Sequence, residues 1–363
     1  MKKTKSWVVT DAKKMSLQEF DVPEVIADDE LLLKVKCTCI CGSDPHRYLN
    51  DDGKATNFYP LILGHEFAGV VEKIGPDAEK IYGVTVGDRV TVEPYIACGH
   101  CDYCREGSYQ LCVEGQCYGW SIPATDGKHL NGAYGEYVVV RPNSRVFKLK
   151  DDVSFKAGAL SSVIGNGYHL VMDKAQMKPN EAALILGPGA LGLCTVVAAK
   201  EAGANPIIIA GVGDNDEKRL ALGKELGADY TIRLDKEDIV KRVSAITEGK
   251  MADVVFECSG AAPAYKTAFS CIKKLGTIVL LGMTGGKEIP LSIDQIVTQE
   301  LQIKGSIGQP DDVSYAVKTI NKQIYPLEKM ITNEFPMSKA DKAIEFFISR
   351  TDPSCIRVAL IND

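Results

Sequence analysis

The stretch that decides the fold is "AALILGPGALGLCTVVAAKEAG", Ala182 to Gly203. It opens on a short apolar run, the pattern of a strand buried on both faces. It continues as helix-forming sequence and stops at a glycine. Between the two, Gly187, Gly189 and Gly192 fall in G-x-G-x-x-G spacing. Such glycines permit a tight turn, close approach of a pyrophosphate and close helix packing, with the helix N-terminus facing the phosphates. The motif alone is weak. Its strand–turn–helix setting makes it a dinucleotide-binding signal.

The same rhythm continues downstream. "PIIIAG" reads as a strand, "DEKRLALGKELGA" as a helix, "ADVVFECSG" as a strand, "APAYKTAFSCIKKLG" as a helix and "TIVLLG" as a strand. Strand alternating with helix predicts a parallel sheet of βαβ units. The acid that grips the cofactor ribose should end the second strand, about 20 residues after the glycines. That position falls on Gly211, so the next acid, Asp214, becomes the candidate for the ribose 2′-hydroxyl. Lys218 and Arg219 are candidates for a 2′-phosphate, but Asp214, Asp216 and Glu217 would repel it, which favours NAD over NADP.

Upstream, residues 1 to about 160 read as β-rich. "ELLLKVKCTCI" (Glu30 to Ile40), "HEFAGVVEKI" (His65 to Ile74) and "GDRVTVEPY" (Gly87 to Tyr95) are short runs broken by Gly, Pro and Asp. The C-terminal "IRVALIND" reads as a strand returning to this first lobe. The chain has 363 residues, 45% hydrophobic and 25% charged, with a formal net charge of -6. That length suits two domains, and the charge gives no general pull toward nucleic acid. The basic N-terminus lacks an apolar signal core and no run is long enough to span a membrane. A cytoplasmic protein is expected, with its 12 cysteines as thiols or metal thiolates.

Cys98, Cys101, Cys104 and Cys112 are spaced C-x2-C-x2-C-x7-C. Four thiolates from one short loop close a tetrahedron around Zn²⁺ with no open position, which is a structural site. His100 lies in the loop but is redundant as a ligand. A second set comes from "CICGSDPHRY" and "GHE": Cys41, Ser43, Asp44, His46, His65 and Glu66. Thiolate, imidazole and carboxylate are all ligand types of catalytic zinc. A buried Glu66 with no cation beside it is costly, which argues for a metal there.

With "CGSD" and His46, "GHEFAGVVEKIGPDA" with "GDRV", the four-cysteine loop, "GPGALG" and the "IR" of "CIRVALIND", the chain resembles the zinc-containing medium-chain alcohol dehydrogenases, in their sorbitol and threonine dehydrogenase branch. The resemblance covers nearly the whole chain. It implies an α/β protein: a GroES-like catalytic domain at 1–162 and 307–363, interrupted by a Rossmann-type nucleotide domain at 163–306. It implies Cys41 and His65 as zinc ligands, Glu66 as an acid that holds zinc directly or through water, and Asp44 as the group orienting His65. Ser43 and His46 would carry the alcohol proton to solvent, Arg357 would sit on the cofactor pyrophosphate, and Asn166 would lie near the nicotinamide. Homodimers or homotetramers are implied too. One position departs from the family. The third ligand, a cysteine or glutamate ahead of a "G-Y"-like segment, falls on Ser162, with Ser161 beside it, and neutral serine is a poor zinc ligand.

The expected reaction is hydride transfer between an alcohol and NAD or NADP, with zinc activating the alcohol oxygen. The altered Ser162 position keeps a zinc-poor reductase of an activated C=C bond as an alternative, and a non-catalytic dinucleotide-binding protein as another. Tyr48, Asn57, Phe58, Tyr118 and Trp120 are candidates to border the substrate cleft.

Overall fold

A computed structural model describes residues 2–51 and 53–362. The chain divides into two compact units, one of Met1–Ser162, Val317–Ile324 and Ile331–Asp363, the other of Val163–Ala316 and Tyr325–Met330.

The second unit is built on six parallel strands in the order Tyr230–Arg233, Ile207–Gly211, Ala183–Leu186, Ala252–Glu257, Ile272–Leu280 and Gln302–Gly305. The strand order reverses beside Ala183–Leu186, and open α/β sheets bind ligands at such a switch point. Leu184, Leu186, Ile208, Ala210, Ile232 and Val255 are 0–1% exposed; sheets covered on both faces require such continuous apolar strands. The glycine turn sits at the end of Ala183–Leu186, and helix Ala190–Glu201 follows it. Two of its glycines are obligatory: Gly187 has φ +101°, and a Cβ on Gly192 would lie 1.9 Å from the Gly187 carbonyl oxygen.

The helix expected through Gly276 ends at Cys271, and the strand Ile272–Leu280 begins at once. Its register slips between Ala252 and Val254, and Leu275 takes a left-handed φ of +62°. Burial of Ile272 against the sheet core overrides the helical pattern of "CIKKLG". The return to the first unit also comes later than residue 307. Asp312 stays behind, its carboxylate 2.9 Å from His169 Nδ1, and Met330 packs on Cys194.

The first unit holds a seven-stranded sheet. Its path runs Val146–Lys148, Arg89–Val92, Phe67–Ile74, Leu31–Cys39, Arg357–Ile361 and Ile331–Pro336, with Tyr137–Val140 also paired to Leu31–Cys39. A three-stranded sheet of Lys14–Asp21, Lys3–Asp11 and Leu61–Ile62 accompanies it. The alternation of Leu31, Leu33 and Val35 turns these side chains into one core with Phe67, Val71 and Val90. The pairing that matters for the site is antiparallel, Ala359 opposite Cys39. It carries the far C-terminus to the end of the strand that leads into Cys41. Among the described residues, no helix is long and apolar enough to cross a membrane.

Candidate functional site

His65 and Glu66 were expected inside a strand; they immediately precede it, since the strand begins at Phe67. Gly64 sets up their approach. It has φ +95°, and a Cβ there would stand 2.6 Å from Tyr134 Cδ1, so only glycine fits. Cys41 follows the strand Leu31–Cys39, and Asp44 opens the one-turn helix Asp44–Leu49.

These loops bring three ligand atoms together. Cys41 Sγ, one His65 ring nitrogen and one Glu66 oxygen all lie within 4.8 Å of one another. Asp44 is fully buried, with Oδ1 3.4 Å from His65 Nδ1. Its Oδ2 accepts from the Cys41 backbone N–H and the Tyr134 hydroxyl, each at 3.0 Å. Ser43 Oγ lies 3.5 Å from His65 Nε2. His46 is half-exposed, with Nδ1 2.6 Å from Asp51 Oδ2.

Arg357 answers how a carboxylate is buried at Glu66. Its Nη2 is 3.0 Å from Glu66 Oε1, and its Nη1 donates to the Ile40 carbonyl at 2.9 Å. The premise that Glu66 lacks a cation without a metal is therefore corrected: the cation is a guanidinium that arrives from 291 residues away. Burial still pushes the Glu66 carboxyl well up, against the pull of Arg357, and it raises Asp44 as well. One Glu66 oxygen, Oε2, remains buried without a hydrogen-bond partner. Such an orphaned acceptor beside a thiol fits a bound divalent cation, and the thiolate–imidazole–carboxylate set suits zinc. Ser162 is buried on the helix Ser161–Tyr168. Its neighbour Ser161 shares a 2.7 Å hydrogen bond with Thr91 Oγ1.

The four-cysteine loop is a second ligand set, with the sulfurs of Cys98, Cys101, Cys104 and Cys112 within 4.8 Å of one another. The backbone N–H of Val113, and then that of Cys104, bring the Cys101 thiol down to about 6. His100 stays beside the loop, with Nδ1 2.9 Å from the Cys98 carbonyl and Nε2 3.5 Å from Glu114.

Of the aromatic candidates, Trp120 meets His65 edge-on at 6.4 Å and carries the buried Arg47 guanidinium over its face at 3.8 Å. Phe58 covers the same guanidinium at 4.8 Å. Tyr118 is core, fully buried and bonded to Ser144, and buried Tyr48 donates to the Lys13 carbonyl. The sequence reading missed Arg47 and Tyr134. A polar head beside "GHE"-type ligands was the only available hint for either.

In the second unit, Asn166 lies half-buried on the helix Ser161–Tyr168. Asp214 is bonded to Arg233 at 3.0 Å with its side chain 89% exposed, and Arg219 is bonded to Asp216 at 2.7 Å. Lys218 is exposed.

Two sequence profiles match: "Alcohol dehydrogenase GroES-like domain" over residues 27–151 and "Zinc-binding dehydrogenase" over 190–322. D-arabitol-phosphate dehydrogenase of Enterococcus avium is 35% identical over 333 residues, 91% of this chain and 90% of its own. Sorbitol dehydrogenase of Halalkalibacterium halodurans is 34% identical, over 86% of this chain and 87% of its own. A Sinorhizobium meliloti structure described as a zinc-binding dehydrogenase, solved with NADP, superposes with a TM-score of 0.87 at 26% identity, covering 99% of this chain and 100% of that one. The glycine turn at the sheet's switch point, the two cysteine-containing ligand sets and these matches converge: the chain belongs to the zinc-containing medium-chain alcohol dehydrogenases, in their sorbitol and threonine dehydrogenase branch.

Proposed function

We propose that this dehydrogenase holds two zinc ions and interconverts a secondary alcohol or polyol with its ketone, using NAD. The carrying observation is the convergence of Cys41, His65 and Glu66 within 4.8 Å, with Glu66 Oε2 left unpaired in the interior. Held there, zinc supplies a Lewis acid with an open position, and the dinucleotide supplies the hydride acceptor.

The chain's own residues do the rest. Asp44 fixes the His65 ring, and the Tyr134 hydroxyl fixes Asp44. Arg357 faces the Glu66 carboxyl at 3.0 Å and offsets part of the cost of burying it. Ser43, beside His65, takes up the proton that leaves the substrate oxygen. His46, one turn along and half-exposed, releases it to solvent with Asp51 as its partner. Ser162 is left without a ligand role. Gly187, Gly189 and Gly192 seat the pyrophosphate at the head of helix Ala190–Glu201. The four-cysteine loop holds the second zinc as a closed structural site.

The polyol reading rests on the sorbitol and arabitol-phosphate relatives. We infer a homo-oligomer from the second unit. There the terminal strand Gln302–Gly305 leaves one edge open, with Met283, Ile293, Val297 and Ile307 each more than half exposed. We infer a cytoplasmic protein, in keeping with 12 cysteines that form no disulfide.

The test is metal analysis joined to a screen of polyols and secondary alcohols. Two zinc ions per chain are expected, and chelation should abolish oxidation of the active substrate. One zinc per chain, with catalysis indifferent to added metal, would sink the reading.

A further inference from the structure

The strand end where a ribose-gripping acid belongs is Gly211, which has no side chain to offer. The chain refills that space from downstream. Gly211 pairs with Arg233 on one side, and Gly187 N–H bonds the neighbouring Ala210 carbonyl at 3.0 Å on the other. Gly211 is therefore level with the first glycine of the phosphate turn. A Cβ built on it would stand 2.8 Å from Pro188 Cγ and 2.9 Å from Asp216 Oδ2. The Asp216 carboxylate thus lies where a strand-end side chain would lie, against the turn that seats the pyrophosphate.

Local structure delivers it there. Gly213, at φ +78°, reverses the chain, and the turn Asp214–Asp216 follows. Asp216 Oδ2 accepts from the Val212 N–H at 2.8 Å, which points the carboxylate back at the strand end. Its side chain is only 14% exposed. The other candidates are spent elsewhere. Asp214 points outward to Arg233, and Asp235 accepts from the Gly213 N–H and from Arg233. Arg219 is bound to Asp216 Oδ1 at 2.7 Å.

We propose that Asp216, in place of a strand-end acid, binds the adenosine ribose of the cofactor and selects NAD(H) over NADP(H). The proposal rests on the dinucleotide reading of the glycine turn. A carboxylate offers about four acceptor sites. Val212 and Arg219 each use one, so both ribose hydroxyls find an acceptor. A 2′-phosphate in the same place meets a fixed negative charge, and the guanidinium that would welcome it is already tied to that charge.

The experiment is fluorescence titration of the zinc-loaded full chain with NADH and with NADPH. Wild type should bind NADH about 10- to 100-fold tighter, the scale of hydrogen bonds to a charged group. Asp216→Ala should lose about that factor for NADH and none for NADPH, since Arg219 is released. Asp216→Asn keeps the acceptor for Val212 N–H, so it holds the loop while removing the charge, and it should also erase the preference. A merely structural Asp216 would weaken both nucleotides by the same factor, which overturns the assignment. So does a wild type that prefers NADPH, or a preference that moves with Asp214→Ala instead. Binding of neither nucleotide by wild type is a distinct result: it removes the dinucleotide reading itself and the assignment with it.

Discussion

The two cysteine-containing ligand sets are built in opposite ways. The four-cysteine loop draws all its sulfurs from residues 98–112 and lies near the surface, with three of its four cysteines partly exposed. The Cys41–His65–Glu66 set joins two segments and is mostly buried, and a third segment supplies the Arg357 guanidinium that faces its carboxyl group. A closed set of like donors needs nothing but the ion. A mixed, open set must be held in shape by neighbours before any ion arrives, and that pre-positioning suits it to chemistry.

This contrast breaks most visibly under paired substitutions. Cys101→Ser should cost one zinc and lower the melting temperature by roughly 10 °C or more. Cys41→Ser should cost the other zinc and about 1000-fold in kcat, with little change in melting temperature. Metal counting alongside calorimetry and turnover separates the two; a shared outcome would erase the distinction drawn here. Arg357→Met strands Glu66 as a lone buried carboxylate. A loss of about 3–5 kcal/mol in urea unfolding is expected, with the zinc of the cysteine loop retained. A near-neutral result would mean Glu66 is not ionised.

Smaller effects sharpen the comparison. Ser43→Ala should lower kcat by about 100-fold and leave NADH binding intact; unchanged turnover would remove Ser43 from the proton path. Ser162→Ala should leave the zinc count at two, because a neutral hydroxyl is a poor zinc ligand beside thiolate, imidazole and carboxylate. A drop to one zinc would show that the hydroxyl, or water it positions, is part of the open site.

The parallel sheet, the glycine turn and the clustering of the four loop cysteines were legible in the sequence because each is carried by local pattern: continuous apolar strands, fixed glycine spacing, cysteines within one loop. Glu66 shows the limit. Its burial was evident from the apolar run around it, but its partner was not, because Arg357 reaches it only through the pairing of Arg357–Ile361 with Leu31–Cys39. The candidate for the cofactor acid shifts for a related reason. Counting along the chain stops at Gly211, whereas a reversing loop carries Asp216 back into the vacant space. Ile272–Leu280 likewise turned from helix to strand early, since sheet burial outweighs a short helical propensity.

By itself the sequence determined which chemistry the chain could hold: donors for two metal sites, a cradle for a pyrophosphate and strands that must be covered on both faces. Those follow from residue type and short-range spacing, which the backbone's fixed geometry converts directly into shape. Only the tertiary structure decided which interior charges meet a partner and which acid lies against the strand end at Gly211. Both depend on groups far apart in the chain or folded back by a loop, and the electrostatic cost of an unmatched interior charge is settled by whatever the fold places within a few ångströms of it.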